Sequence, residues 1–404
     1  MQTKNTQTNL LPIIVMMSVV GLMATDIYIP AMPSIAKHFA ITDHGMQLTL
    51  AGYLLGLSVS QLAYGPLSDH FGRKPIVFAG MLLFTLATLA CSFATSGFEL
   101  IVFRCLQGIG ACAGLTIGRA IIGDIYSKEQ TGKIFATVFP FVGLSPAIAP
   151  VIGGYVNSLY GWHSVFGLLF VFGFVLVVVV FFKLPETKEK EHRIAIRATT
   201  VAKTYASLVF SMTFWGYVLV PCFAYIAYFG YISESSFVFS KQGYTSSQIG
   251  YFYIALSITY LAGNLLSKRF LNHMSLNRAL LSGYVVFVAG ALLMLLMNSS
   301  GSFYAMKIWL PMAVLTLGNG FLLPLGAAGV IANFKEKSGY ASGLLGFLQL
   351  GSASVSSLAV GFFSQADAFR LSLYLSACCL LGFFLFVLFL RIQSRGYIRL
   401  DPVA

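Results

Sequence analysis

Long uncharged blocks alternate with short polar runs along this 404-residue chain. Two of the blocks, 45–68 and 75–98, each contain 24 residues without an Asp, Glu, Lys or Arg. At 1.5 Å per residue, such a block spans roughly 36 Å as a helix, more than the roughly 30 Å of a bilayer's hydrocarbon core. Only 9% of the residues are charged, against about 25% in a soluble globular domain. We therefore expect an all-α membrane protein that crosses the bilayer many times.

The remaining composition excludes several classes of function. The net charge of +12 does not indicate nucleic acid, because the basic residues lie in short runs between apolar blocks. All six cysteines lie inside apolar blocks, so we expect free thiols, no disulfide and no metal site. The sequence has no evident Ser-His-Asp or Cys-His set and no phosphate-binding loop, which argues against an enzyme or an ATP-driven pump. We expect no cofactor.

Counting the apolar blocks predicts twelve membrane helices, an even number that places both termini on one side. Of the 25 Lys and Arg residues, 20 fall in loops on that side and four on the other, with Arg104 left inside a helix. By the positive-inside rule, both termini are cytoplasmic. The predicted helices cover about 10–36, 46–68, 75–96, 98–121, 133–156, 163–183, 205–232, 246–267, 278–298, 304–332, 339–364 and 369–391.

One long polar stretch, 185–204, lies near the middle of the chain. It predicts a cytoplasmic linker between an N-terminal bundle of six helices, 1–184, and a C-terminal bundle of six, 205–404. A shift of 199 positions aligns 67–71 weakly with 266–270, although Asp69 has no acidic counterpart there. In transporters built from two such repeats, the substrate site lies between the halves near the middle of the membrane.

The run between the second and third predicted helices reads GPLSDHFGRKP, from Gly65 to Pro75, and predicts a hairpin loop. It resembles the signature loop of the major facilitator superfamily, a family of membrane transporters. The resemblance implies a cytoplasmic latch formed by Gly65, Asp69, Gly72 and Arg73. The alternative is a basic turn that only obeys the positive-inside rule.

Two ionisable residues lie deep in predicted helices, where each costs roughly 2.5–3.5 kcal/mol on insertion scales and marks a functional site. Asp26 in the first helix and Arg104 in the fourth are both expected roughly 10–12 Å below the outer surface. They can therefore meet across one cavity, directly or through water. A nearby guanidinium favours the carboxylate over the neutral acid, so we interpret the two residues as the proton-coupling site. An ion pair that only fixes helix packing is the alternative.

Two further motifs surround these residues. The run RCLQGIG, which includes Arg104 and Gln107, resembles the superfamily's Arg-x-x-Gln-Gly-x-Gly motif. In related antiporters its arginine is assigned to proton transfer or charge gating. The run TDIYIPAMP, which includes Asp26 and Tyr28, resembles the Thr-Asp-x-Tyr-x-Pro-x-x-Pro of the bicyclomycin- and chloramphenicol-resistance branch of twelve-helix drug:proton antiporters.

The fifth predicted helix contains the run SPAIAPVIGG at 145–154. It is similar to the Gly-Pro-x-x-Gly-Gly motif of the superfamily's drug antiporters, except that Ala149 stands where the motif has glycine. Prolines kink a helix and glycines admit a close neighbour. The resemblance therefore implies a gating helix that flexes at Pro146, Pro150, Gly153 and Gly154.

The second half contributes mostly aromatic residues. Tyr225 and Tyr228 share one helix face and can stack against amide or guanidinium groups, although aromatic residues also anchor helices at the membrane interface. Glu234 is a second-rank candidate, and its position near a predicted helix end favours a solvated side chain. The predicted substrate cavity comprises Tyr28, Gln107, Tyr225, Tyr228, Asn319 and Gln349.

Together these features predict a proton-coupled exporter of small amphipathic compounds, such as drugs or antibiotics, that works by alternating access. We expect a monomer in the bacterial inner membrane, with the substrate, protons and lipid as its partners. A dedicated metabolite or siderophore exporter and a proton-driven importer are alternatives within transport. A membrane enzyme or a transporter-like sensor is the alternative from another class.

The segregation of cations gives a test of topology. In a cysteine-free background, a single cysteine at Ser158 or Ser299 should react with an impermeant thiol reagent added outside the cell. A cysteine at Ser127 or Ser394 should react only after the membrane is opened. The reverse pattern would disprove the orientation.

Overall fold

The computed structural model describes residues 2–126, 128–188, 198–299, 304–334 and 337–395, and these are almost entirely helical. A short 3-10 helix, Ile29–Ala31, lies between α1 and α2. The α-helices are α1 (Gln2–Asp26), α2 (Met32–His38), α3 (Asp43–Phe71), α4 (Arg73–Ser92), α5 (Gly97–Ile125), α6 (Lys128–Tyr160), α7 (Trp162–Lys183), α8 (Ala198–Val209), α9 (Met212–Lys241), α10 (Ser246–Leu271), α11 (Leu276–Asn298), α12 (Met306–Asn333), α13 (Ser338–Ser364) and α14 (Ala368–Ser394).

Twelve of these helices have 20 residues or more within the described part of the chain. Among the described residues, ten candidate spans are long and apolar enough to cross a membrane, and the first of them runs from Leu10 to His38. α3 and α6 are not in that set of ten. α3 is long enough, but it carries buried polar side chains such as Gln47, Ser58 and Gln61. The expectation of an all-helical, multi-pass membrane protein is confirmed.

The first predicted helix is interrupted in the structure. α1 ends at Asp26, and the chain passes through the 3-10 helix before α2 begins at Met32. Pro30 lies in the 3-10 helix and Pro33 in the first turn of α2, and a proline ring removes a backbone donor and clashes with the preceding turn. The predicted helix over 10–36 therefore corresponds to one candidate span, Leu10–His38, which is broken after Asp26 so that this residue lies at a helix end.

The predicted loop 65–75 is also mostly helical. α3 continues through Phe71 and α4 begins at Arg73, so Gly72 alone separates them. Gly72 has φ 103°, a conformation that side chains with a Cβ disfavour. Because a single residue separates the helices, Asp69 and Arg73 lie on adjoining helix ends.

Polar side chains define the starts of α3 and α5. Thr42 Oγ1 accepts a hydrogen bond from Gly45 N at 3.1 Å, and Ser96 Oγ accepts one from Glu99 N at 3.2 Å. The Glu99 carboxylate accepts a reciprocal bond from Thr95 N at 2.8 Å. These N-caps satisfy donors that the first helical turn leaves free.

The chain divides into two units. The first comprises Met1–Arg197 with Thr245–Gly250, and the second comprises Ala198–Tyr244 with Tyr251–Ala404. α8 begins inside the predicted linker 185–204, whose residues 189–197 lie outside the described part of the chain.

Glycines bring helices into backbone contact in both units. In the first unit, a Cβ on Gly108 of α5 would lie 2.1 Å from the carbonyl oxygen of Tyr53 on α3. A Cβ on Gly56 of α3 would lie 2.3 Å from the carbonyl oxygen of Cys105. In the second unit, a Cβ on Gly318 of α12 would lie 2.7 Å from a backbone nitrogen of α11. Small residues permit this close packing where lipid supplies no hydrophobic drive between helices.

The α3–α5 contact can be tested with one methyl group. Gly108→Ala should lower the melting temperature of the purified protein in detergent, because overpacking costs about 1–3 kcal/mol. Gly123 lies in the same helix and has nothing within 4 Å of the equivalent Cβ position, so Gly123→Ala is the matched control. Tryptophan fluorescence during heating measures both, and equal melting temperatures would contradict the contact.

Candidate functional site

Arg104 is completely buried in the first unit. Its guanidinium carbon lies 4.3 Å from the ring centroid of Tyr28 and 4.2 Å from that of Tyr53. Nη1 donates to the carbonyl oxygen of Ala24 at 3.1 Å and to Gln107 Oε1 at 2.5 Å. Nε and Nη2 have no hydrogen-bond partner among the described residues. The positive charge is therefore stabilised by two aromatic faces and two neutral oxygens.

Hydrogen bonds fix the groups around Arg104. Tyr53 Oη donates to the carbonyl oxygen of Gly21 on α1 at 2.6 Å, and the hydroxyls of Tyr28 and Thr49 are hydrogen-bonded to each other. Gln107 Nε2 donates to Thr88 Oγ1 on α4 at 2.7 Å. Elements of the chain from α1 to α5 thus converge on one guanidinium.

Asp26 lies two residues beyond the carbonyl group of Ala24 that Arg104 binds. It is buried, with 4% of its surface exposed, and it accepts a hydrogen bond from Ser145 Oγ on α6 at 3.3 Å. The ion pairs within the described residues all involve Arg73 or Lys188, and none joins Asp26 to Arg104. The structure thus brings Arg104 of α5 to the backbone of α1 two residues before Asp26, without an ion pair between the two side chains.

α6 reaches this stretch through its glycines. A Cβ on Gly153 would lie 1.9 Å from the carbonyl oxygen of Ile27, the residue after Asp26. Gly154 is also buried. α6 continues as one helix past Pro146 and Pro150. The predicted gating helix therefore contacts the Asp26 segment at both Ser145 and Gly153.

A second cluster of polar side chains lies where α3 and α5 end and α4 begins. We call Arg73 and its partners Ser68, Asp69, Asp124 and Glu186 the Arg73 cluster. The Arg73 guanidinium lies 2.9 Å from both carboxylates, through Nη2 to Asp69 and Nε to Asp124. Its Nη1 donates to Ser68 Oγ at 2.6 Å, and its backbone N–H donates to Glu186 Oε1 at 2.8 Å.

The Arg73 cluster ties three helices to the segment after α7. Arg73 is 5% exposed, whereas the side chains of Asp69 and Asp124 are 35% and 20% exposed. Thr187 Oγ1 adds a hydrogen bond to Asp124 at 3.1 Å. Because the cation is buried, loss of a carboxylate would leave the desolvated charge incompletely satisfied.

Comparison with known proteins decides the family. A family model described as Major Facilitator Superfamily matches residues 14–357. The chain belongs to the major facilitator superfamily. The resemblance stated from the sequence motifs is therefore confirmed.

Relatives in the superfamily cover nearly the whole chain. "Bicyclomycin resistance protein homolog" of Haemophilus influenzae is 26% identical over 92% of this chain and 94% of its own length. "Multidrug resistance protein D" of Escherichia coli is 30% identical over 87% of this chain and 88% of its own length. A crystal structure of the peptide transporter POT in complex with sulfate has a TM-score of 0.78 over 95% of this chain and 94% of that one. At 13% identity, that likeness shows the fold alone.

The second unit of this superfamily member holds the other predicted cavity residues. Tyr225 and Tyr228 are half-buried on α9, and both rings pack against Phe229 at centroid distances of 5.5 and 5.4 Å. Asn319 is buried on α12, and its Oδ1 has no hydrogen-bond partner in the described chain. Gln349 is half-buried on α13, and its backbone carbonyl accepts from Ser352 Oγ at 2.8 Å.

The environment of Glu234 differs from the one that the sequence predicts. The interpretation as a solvated helix end is wrong, because α9 continues to Lys241 and Glu234 is completely buried. Its Oε1 accepts a hydrogen bond from the backbone N–H of Ala366, between α13 and α14. Ala366 and the preceding Gln365 have φ values of 54° and 52°. This left-handed conformation costs roughly 1–2 kcal/mol per non-glycine residue, and a hydrogen bond to a charged group contributes roughly 1.5–3 kcal/mol.

Sequence reasoning did not select several residues that the structure brings to these sites. Tyr53 and Thr88 contribute to the Arg104 site, and Asp124 and Glu186 contribute to the Arg73 cluster. Asp124 is acidic at a helix end on the same predicted side as Arg73, which was a usable signal. Tyr53 and Thr88 gave none, because single tyrosines and threonines are common in membrane helices.

We expect a larger loss of stability from removing a carboxylate of the Arg73 cluster than from removing the nearby Lys188 side chain. Asp124→Asn should lower stability by about 2 kcal/mol, because the buried guanidinium loses a charged acceptor. Lys188→Ala removes only a 3.6 Å ion pair to the half-exposed Asp69 and should cost less than about 1 kcal/mol. Melting temperatures of the purified variants measure the difference. A loss from Lys188→Ala as large as that from Asp124→Asn would contradict this account.

Proposed function

We propose that this protein is a proton-coupled exporter of small amphipathic compounds in the bacterial inner membrane. On this proposal it is a monomer with twelve spans, in bundles 1–184 and 205–404 joined by a cytoplasmic linker 185–204. Both termini are cytoplasmic. The superfamily supports transport of a small molecule, and the names of the two relatives support drugs or antibiotics as its cargo.

The observation that carries proton coupling is the pairing of Asp26 with Arg104 through one short stretch of α1. Asp26 of α1 and Arg104 of α5 are both buried, yet they form no ion pair within the described chain. The Ala24 carbonyl that holds Arg104 is two residues from Asp26. A shift of α1 or α6 therefore changes the surroundings of both groups together.

This arrangement supports a simple exchange cycle. Asp26 takes a proton from outside, and movement of α6 against Ile27 alters the distance between the carboxyl and the guanidinium. A nearer cation favours release of the proton, and a more distant one favours its retention. A cationic substrate displaces the proton by pairing with the same carboxylate, so that one site exchanges both.

The other site residues then have supporting roles. Tyr28, Gln107, Tyr225, Tyr228, Asn319 and Gln349 line the substrate cavity on this proposal. Pro146, Pro150, Gly153 and Gly154 let α6 flex beside Asp26. Gly65, Asp69, Gly72 and Arg73 act as the cytoplasmic latch, since the Arg73 cluster stabilises one arrangement of the helix ends over others.

The proposal is tested by accumulation of labelled compounds in cells. Cells that express the protein should accumulate less of at least one amphipathic compound, and a proton uncoupler should abolish the difference. Uptake that depends on the proton gradient would instead support an importer. A panel in which one metabolite alone responds would support a dedicated exporter.

Variants of Asp26 and Arg104 in the same assay test which residue carries the proton. Asp26→Asn should abolish uphill export of every substrate and flatten the pH dependence of binding, while Asp26→Glu should retain partial export. Arg104→Ala should shift the pH dependence and slow turnover. Asp43→Asn, at the start of α3, is the matched acidic control and should behave as wild type. Proton-driven export by Asp26→Asn would show that another residue carries the proton.

A further inference from the structure

The turn between α13 and α14, residues 365–367, holds two consecutive non-glycine residues in the left-handed region. Gln365 has φ 52° and Ala366 has φ 54°. In the described chain, Ala40 alone shares this feature among non-glycine residues. Such a conformation persists only where surrounding contacts enforce it. The 365–367 turn is therefore a strained segment whose restraints can be identified.

Several side chains restrain the 365–367 turn from within the second unit. Lys241 Nζ at the end of α9 donates to the carbonyl oxygen of Gln365 at 3.0 Å. Arg370 Nη1 on α14 donates to Gln365 Oε1 at 3.2 Å. The Asp367 carboxylate accepts from Arg370 N at 2.8 Å and caps α14. These contacts hold Gln365 and Asp367 but not the N–H group of Ala366 between them.

The N–H group of Ala366 is held by Glu234. This carboxyl group lies on α9, is completely buried, and accepts the hydrogen bond through Oε1. An ionised acceptor binds a backbone N–H more strongly than a neutral one does. The strength of the bond that holds the strained residue thus depends on whether Glu234 carries a proton.

We propose that Glu234 is a second proton-binding site, and that its ionised form holds the 365–367 turn in the left-handed conformation. Protonation converts the carboxylate into a neutral acid with a weaker acceptor oxygen. The turn then relaxes and frees the adjoining ends of α13 and α14. This adds a proton site to the second unit, separate from Asp26 in the first.

Other ionisable groups approach Glu234 and the turn from each neighbouring element. Tyr253 Oη on α10 is hydrogen-bonded to Ser235 Oγ at 2.8 Å, next to Glu234. The Tyr231 ring, one turn earlier on α9, packs edge-on against Tyr253. The groups to consider in a titration are Tyr231 and Lys241 on α9, Tyr253 on α10, and Asp367 and Arg370 at the start of α14.

The inference rests on the proposed function only for its consequence in transport. The proposed topology places the 365–367 turn on the outer face, where external acid reaches it. Two proton sites, one in each unit, would then respond to the same gradient. The restraint of the turn by Glu234 is a property of the second unit and can be measured without any substrate.

Hydrogen–deuterium exchange of the purified full chain in detergent tests the proposal. Exchange is measured at pH 8 and pH 5 and corrected for the intrinsic rate at each pH. The peptide that contains Ala366 should be at least tenfold less protected at pH 5 than at pH 8. Glu234→Gln should show the lower protection at both values. Equal corrected protection of the wild type at the two pH values would overturn the proposal, whatever the variant does.

Three further variants isolate the cause. Ala366→Gly removes the steric strain at residue 366, so the turn should be better protected at pH 5 than in the wild type, also when combined with Glu234→Gln. Glu99→Gln changes another carboxylate that accepts a backbone N–H and should leave the 365–367 turn unaffected. Asp26→Asn should leave the pH dependence of protection at the 365–367 turn unchanged. A pH response that disappears with Asp26→Asn would overturn the second site, whereas failure of export in cells with an intact exchange response would count against the proposed function alone.

Discussion

A guanidinium group buried without a carboxylate against it is the constraint around which the first unit is arranged. Desolvating a cation costs several kcal/mol even after a protein relaxes around it. The chain compensates with the faces of Tyr28 and Tyr53 and with the oxygens of Ala24 and Gln107. Each of these groups has to be held in place, so the close approach of α3 to α5 at Gly56 and Gly108 becomes part of the same requirement. The packing of α3 against α5 thus helps to stabilise the buried charge of Arg104.

The fold was largely readable from the sequence because its cause is simple. Blocks of about 20 apolar residues have few alternatives in lipid, so the helices and the family followed from block lengths and four short motifs. The errors lie at helix ends, where a single proline or glycine decides whether a helix stops or continues. Pro30 and Pro33 interrupt the first helix, and the run at 65–75 stays helical on both sides of Gly72. The spacing of apolar residues does not show that one residue is enough to separate two helices.

The sites were readable only in part, for a physical reason. Asp26, Arg104, Asp69 and Arg73 stand out because charge is rare in apolar helices. Their partners do not stand out, since a tyrosine face or a threonine hydroxyl is ordinary until the fold brings it beside a charge. Glu234 shows the converse error, because a charge near a predicted helix end was taken as solvated although α9 extends beyond it. Burial of such a residue depends on which other segments cover the helix end. The sequence of the helix itself does not show which segments these are.

The connection between α3 and α4 has a mechanical consequence. Gly72 alone joins α3 to α4, so the angle between the two helices is set by the two backbone dihedrals of one residue. No slack chain separates the helix ends, and any change in that angle has to take place at Gly72 itself. The Arg73 cluster spans this hinge, because Asp69 lies on α3 and Arg73 on α4, so a rotation at Gly72 changes the distance between the two charged groups.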